Sequence, residues 1–312
     1  MTMSMDGILN VNKSSGPTSF SIVSTVKRLS GEQRVGHAGT LDPSATGVLP
    51  ICLGNGTRVV EFLMDSTKAY QAEIELGVTT DTYDASGRII QKGDYSGISQ
   101  GELETTLSSF SGLIHQVPPA YSAVKNQGKP LYKLARAGIE VKRNSRPVTI
   151  HNIKLIDWKP PLVTIEVVCG KGTYIRSLAY DLGQVLGCGA HLKSLVRLRY
   201  GLFDIRDSIS LPQLEDAFHH NYWHQYLYPI DSVLLHWKAM VVSDEIRQDI
   251  KNGRSLVIED IKVDQRNDKL QIQTLKGPSA DRCRVYALDG CFLGVLRFNS
   301  EKGQWHPEKV FL

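Results

Sequence analysis

Apolar and polar residues alternate most cleanly from Tyr70 to Leu76: Tyr70, Ala72, Ile74 and Leu76 fall on one side, Gln71, Glu73 and Glu75 on the other. A period of two is the geometry of a pleated strand, so this segment reads as a half-buried strand with a solvated companion face. Val148 to Ile156 and Val163 to Cys169 are rich in β-branched residues and read as two further strands, with Trp158 to Pro161 making the turn between them. Ile8 to Val11 is a short apolar stretch, followed by NKSSGPTS, a loop by composition.

Elsewhere the period lengthens. Phe20, Val23, Val26 and Leu29 recur every three residues and predict a helix that Gly31 would stop. A second helix is expected from Ser99, with Glu102 as capping-box partner, Leu103, Leu107 and Phe110 on one side, and Gly112 at its end. A third starts near Gly172, because Ile175, Leu178, Ala179 and Leu182 make an i, i+3, i+4, i+7 stripe. Arg176 falls in its first turn, where a cation opposes the helix dipole unless an anion stands against it.

Composition shifts after about Leu211, through the aromatic and histidine-rich HHNYWHQYLYPID, and a small unit begins near Leu234. A short helix over Asp244 to Lys251 ends at Gly253, and strands are expected at Lys269 to Leu275, Arg284 to Leu288 and Phe292 to Phe298. Asp289-Gly290 is a tight-hairpin signal. A mixed α/β chain of two domains, 1–233 and 234–312, suits the length of 312 residues, and the second has the size of a small barrel.

Net charge is only +4, but its distribution is uneven. Lys125, Lys129, Lys133, Arg136, Lys142, Arg143 and Arg146 lie within one stretch whose sole acid is Glu140, a run that fits either a solvated face or a phosphate-binding surface. Tyr121 and Tyr132 beside these lysines suit RNA, whose unpaired bases stack on rings, or else a loop leading into an amphipathic helix whose Tyr132 and Leu134 help fill a core.

Several chemistries lose their usual supports. The five cysteines contain no C-x-x-C pair, which argues against a zinc knuckle and a disulfide framework and for a reducing compartment. His219, His220 and His224 lack metal-ligand spacing, so no metal is expected. The chain has no G-K-[ST] phosphate loop and no G-x-S-x-G elbow. It has no apolar run long enough for a membrane and no secretory start, so a cytoplasmic location is expected.

The window RVGHAGTLDPSATGVLPICLG, with four glycines and two prolines among small residues, cannot be one regular element and suggests backbone packed closely against a ligand. Its part GHAGTLDPSATGVLPICLG resembles the signature of the TruB family of tRNA pseudouridine synthases. LNVNKSSGPTS, KAYQAEIELGVTTDTYDASG, PPAYSAVKNQGKPLYKLARAG and CGKGTYIRSLAYDLG agree with the family in order and cover most of the first 200 residues.

The resemblance implies a pseudouridine synthase fold built around a central antiparallel sheet. It also implies an RNA-gripping inserted segment at about 86–146 and a PUA-like C-terminal domain. The implied reaction isomerises the T-loop uridine of tRNA without cofactor or metal, on the T arm and acceptor side, by a monomer that needs no protein partner or guide RNA. By the same resemblance Asp42 is the catalytic carboxylate, which adds covalently to sugar or base or stabilises a cationic sugar. Asp-Pro is by itself also an ordinary turn starter. Tyr70 is the active-site tyrosine, stacking on uracil and taking part in proton transfer. Arg176 is the partner of Asp42, holding it ionised through two parallel bonds, and Tyr174 lines the same pocket. His37 serves nucleotide recognition, Lys13 supports the loop near the site, and Lys68 belongs to the same environment. Lys125, Lys129, Lys133, Arg136 and Arg143 are expected on RNA phosphates.

Overall fold

The alternating segment forms the strand Lys68–Leu76 in the middle of a large sheet. The computed structural model describes residues 5–257 and 281–311. Neighbour by neighbour the sheet runs Ile209–Ser210, Gly7–Lys13, Thr46–Leu53, Ala190–Tyr200, Lys68–Leu76, Leu162–Cys169, Arg146–Lys159 and Gly112–Gln116. Along this path pairing is antiparallel except where Gly7–Lys13 meets Ile209–Ser210 and where Val196 and Arg197 meet Thr46 and Gly47. The antiparallel centre expected of the family is present, with a short parallel contact inside the glycine-rich window, at Thr46 and Gly47.

In Gly7–Lys13 and Thr46–Leu53 period two sends the two sides of the strand into different cores, whereas Lys68–Leu76 buries Tyr70, Ala72, Ile74 and Leu76 and leaves Gln71 exposed. Leu9, Val11, Leu49, Ile51, Ala72 and Ile74 pack with residues of three helices, Ser19–Ser30, Gln100–Ser109 and Ile175–Val185. Ile8, Val48 and Cys52 face a second cluster with Phe62, Leu63, Tyr200, Phe203 and Leu234. Burial on both faces is why Thr46–Leu53 reads as a nearly continuous apolar run.

Thr18 accepts from the Ser21 N–H to start the first helix, and Gly31, left-handed, ends it. Its inward face is Ser19, Ile22, Val23 and Val26, whereas Phe20 is 73% exposed. The expected three-residue stripe is thus corrected: such a repeat drifts around a helix of 3.6 residues per turn. Ser99 caps the second helix by accepting from the Glu102 N–H, and Gly112 opens the next strand rather than ending the helix at Ser109. The third helix begins at Ile175, with Tyr174 at its N-cap.

The segment at 86–146 does not stand apart as one insertion. Leu103, Leu107 and Phe110 enter the main core and Gly112–Gln116 extends the main sheet, while Ile89–Lys92 pairs with Val78–Thr80 in a separate two-stranded sheet and the stretch after Gln116 leaves the main sheet. There Lys125–Asn126 pairs with Lys129–Pro130, followed by the helix Leu131–Arg136.

A second, five-stranded sheet runs Lys238–Val242, Arg282–Ala287, Phe292–Asn299, Gln304–Val310 and Leu256–Val257, with the helix Asp244–Lys251 beside it. The expected strand Lys269 to Leu275 lies outside the described residues. At Asp289-Gly290 the hairpin closes over three residues: the Ala287 N–H donates to the Cys291 carbonyl, with Gly290 left-handed. The two sheets share a core, since Val295 buries with Phe62, Leu63 and Ile230, and Arg282 lies over the rings of Phe62 and Trp237. A Lys309–Glu61 ion pair at 2.6 Å fastens the same seam.

Candidate active site

Asp42 sits on a loop between two strands, Val35–His37 and Thr46–Leu53, that pair with each other. Its carbonyl accepts from the Ala45 N–H at 3.1 Å with Pro43 in between, so the turn-starter reading of Asp-Pro is true of the backbone. The loop is pinned from several sides. The Lys13 Nζ, wholly buried, donates to the carbonyls of Ser14, Pro43 and Ala45 at 3.0, 3.0 and 2.6 Å. The Ser19 hydroxyl donates to the Leu41 carbonyl and accepts from the Leu41 N–H, both at 2.9 Å. With the backbone so held, the Asp42 side chain projects into the cleft and keeps 40% of its surface open.

Arg176 meets it from the first turn of the helix Ile175–Val185. The Nε lies 3.0 Å from Asp42 Oδ2 and the Nη2 3.2 Å from Oδ1, the two-pronged geometry of a guanidinium on a carboxylate. The anion that a cation at a helix start requires is therefore present twice, because the Nη1 also reaches Asp84 Oδ2 at 3.4 Å. Asp84 is fixed in turn by the Thr82 hydroxyl at 2.7 Å and the Ser86 N–H at 3.0 Å. Arg176 Nη2 also donates to the Tyr121 carbonyl at 3.0 Å.

The electrostatic balance departs from the sequence expectation. Burial raises the Asp42 carboxyl above the ordinary carboxylate range; Arg176 opposes this most strongly, Asp84 adds to the rise and Lys13 opposes it. The fork orients the carboxylate as expected, but removal from water outweighs its pull on the proton. Burial likewise brings the Lys13 and Lys68 ammonium groups down to about 8, and raises the phenols of Tyr70 and Tyr174.

A cleft of about 940 Å³ opens over this centre. Asp42, Tyr70, Arg176, Tyr174 and Lys68 all line it. Lys68 is turned back onto the carbonyls of Met64 and Ser66, at 2.8 and 2.6 Å, and lies 4.5 Å from the centre of the Tyr200 ring. Tyr174 donates its N–H to Gln116 Oε1 at 2.8 Å. Lys13 and His37 are not among the lining residues: Lys13 lies beneath the loop, and His37 lies on Val35–His37, opposite Ile51, with its Nδ1 buried and burial lowering its pKa.

Of the five cations expected on phosphates, Lys125, Lys129, Lys133 and Arg136 are exposed, and Arg136 also lines the cleft. Arg143 is different. It donates to the Pro118 carbonyl at 3.1 Å and lies 5.9 Å from the centre of the Tyr83 ring, tying together the ends of the projecting segment.

Sequence reading missed Asp84, Arg197 and Gln116. Asp84 lies in TTDTYDASG, where an Asp two residues before Ser signals only a local turn. Arg197 lies in LVRLRY, whose alternating cations read as the wet face of a strand. The structure buries it, because a bulge between Arg197 and Arg199 breaks the alternation.

A family model for the N-terminal domain of TruB family pseudouridylate synthases matches residues 27–175, and one for the C-terminal domain of tRNA pseudouridylate synthase B matches 176–235. The tRNA pseudouridine synthase B of Dehalococcoides mccartyi is 43% identical over 99% of this chain and 97% of its own length. That of Clostridium kluyveri is also 43% identical, over 93% of this chain and 95% of its own. Among solved structures, a chain of a Cbf5–Nop10–Gar1 complex superposes with a TM-score of 0.74 at 25% identity, over 99% of this chain and 85% of that one.

Proposed function

The chain belongs to the TruB family of pseudouridylate synthases, and from that premise we propose that it isomerises the T-loop uridine of tRNA to pseudouridine. The observation that carries this reading is the Asp42 carboxylate, gripped by both prongs of Arg176 and open to a cleft that Tyr70 and Tyr174 line.

The reaction breaks the N1–C1′ bond of uridine, turns the base and joins C5 to C1′. C5 loses a proton and N1 gains one, so no electrons or atoms are exchanged with a co-substrate. Asp42 places negative charge where the sugar becomes electron-poor, and Arg176 fixes the direction of its lone pairs. The Tyr70 ring provides a face for the uracil. With its phenol pushed up by burial, it stays protonated and donates hydrogen bonds at neutral pH.

The base must leave its stack to reach this depth, which costs roughly a few kcal/mol. Contacts of Lys125, Lys129, Lys133 and Arg136 with the T-arm backbone supply that energy, and the unit from residue 234 reaches the acceptor side. The protein does this as a cytoplasmic monomer, without guide RNA or a protein partner.

The test is formation and mapping of pseudouridine on unmodified tRNA by purified protein. Product at the T-loop position alone, and a fall on the order of 10³-fold or more for Asp42→Asn with tRNA affinity retained, is the expected result. Tight tRNA binding without product would move the chain to a role in RNA binding or folding. A requirement for added protein or guide RNA would overturn the stand-alone reading.

A further inference from the structure

Arg197 is 1% exposed and makes a set of contacts that no other residue of the cleft repeats. Its Nε donates to the Val48 carbonyl at 2.6 Å and its Nη2 to the Gly39 carbonyl at 3.0 Å. These carbonyls flank Asp42 three residues before and six after, so one guanidinium ties both stems of the loop. Across the sheet Arg197 pairs directly with Tyr70. It also lies 5.0 Å from the centre of the Tyr200 ring.

The backbone is shaped for this. The bulge between Arg197 and Arg199 turns the side chain inward, and Arg197 stands beside Gly47 in the parallel contact with the loop's exit strand. Gly47 has a φ of +98°, and a Cβ there would stand 2.3 Å from the Arg197 carbonyl oxygen. No side chain fits between loop and strand, so the approach that brings the guanidinium to both stems depends on glycine.

We infer that Arg197 is a positioning residue that holds the Asp42 loop and Tyr70 in fixed relation to each other. This rests on the reading of Asp42 and Tyr70 as the reacting groups. Lys13 and Ser19 also brace the loop, but each touches only the loop and its approach. Among the described residues of the cleft, Arg197 both ties the two stems of the loop and stands opposite Tyr70 in the sheet, and a flat fork with several donors is the side chain that can hold both stems.

The experiment measures kcat and KM for pseudouridine formation on unmodified tRNA, tRNA binding and thermal melting, for wild type, Asp42→Asn, Arg197→Lys and Arg197→Met. Arg197→Met should fold, bind tRNA within about twofold of wild type and lose about 100-fold in kcat, the scale of a misplaced reacting group. Arg197→Lys, which keeps the charge but reaches fewer acceptors, should recover about tenfold of that loss. A kcat within about twofold of wild type in both variants would overturn the inference while leaving the Asp42 reading intact. So would a fall in melting temperature and tRNA binding that tracks the fall in kcat, which would make Arg197 a core residue only. Wild type that forms no product would overturn the parent reading and this one together.

Discussion

Asp42 and Lys125 both lie in segments punctuated by glycine and proline, yet the protein holds them in opposite ways. The Asp42 loop is bonded to Lys13, Ser19 and Arg197, and its carboxylate is gripped by Arg176, itself 7% exposed. Lys125 stands on a hairpin of two-residue strands with its side chain in solvent. Chemistry at a carbon atom needs a charge fixed in direction before the substrate arrives, because reorienting it during the reaction would consume the advantage. A phosphate chain presents charge along its length, so mobile ammonium groups at approximate positions suffice, and their loss is graded. Substitutions in the first region should therefore act on kcat, and those in the second on KM and salt dependence.

The sharpest break of this contrast is Arg176→Lys. The variant keeps the positive charge but loses the two-pronged grip and the bridge to Asp84, so kcat should fall by about 100-fold with tRNA binding nearly unchanged. A tenfold weaker affinity at near-normal kcat, measured by steady-state kinetics and filter binding, would place Arg176 among the RNA-gripping cations instead.

The pH profile sharpens it further. The reaction needs ionised Asp42, whose carboxyl lies above its usual 3.8, so the rate should fall as pH drops through that raised value. Asp84→Asn removes a negative neighbour and should move the acid limb to lower pH, whatever it does to the maximal rate; an acid limb that stays in place would sink this electrostatic account. On the alkaline side Lys13 and Lys68 discharge at about 8, so the rate should decline above that pH. Stability carries the opposite sign. Between about 8 and 10.5 the folded chain binds fewer protons at these lysines than the unfolded chain, so their contribution to stability grows as pH rises through that window. Rate and melting temperature measured across the same buffers separate the two effects.

The smallest effect is expected at the surface. Lys125→Ala with Lys129→Ala should raise KM by about tenfold at moderate salt, leave kcat nearly unchanged, and reduce the salt slope of tRNA binding by about one per lysine. A kcat defect in this double variant would mean that the projecting segment helps to build the reacting geometry. Tyr121 is the route by which it could, since its carbonyl accepts from Arg176.

The sequence by itself determined the strand Lys68–Leu76, the helix start at Ser99, the site helix and the hairpin at Asp289-Gly290. Each depends on period, capping or turn chemistry within a few residues. Resemblance in ordered motifs selected Asp42, Tyr70, Tyr174 and Arg176, and the fold brings all four to one cleft. Only the tertiary structure decided that Asp84 shares Arg176, that Arg197 is buried across from Tyr70, and that Arg143 is turned onto Pro118. These partners lie 92, 127 and 25 residues apart in the chain, respectively, so no local pattern encodes them. The proton balance of Asp42 is decided at the same level, because burial and charge at a point are sums over everything the fold places around it.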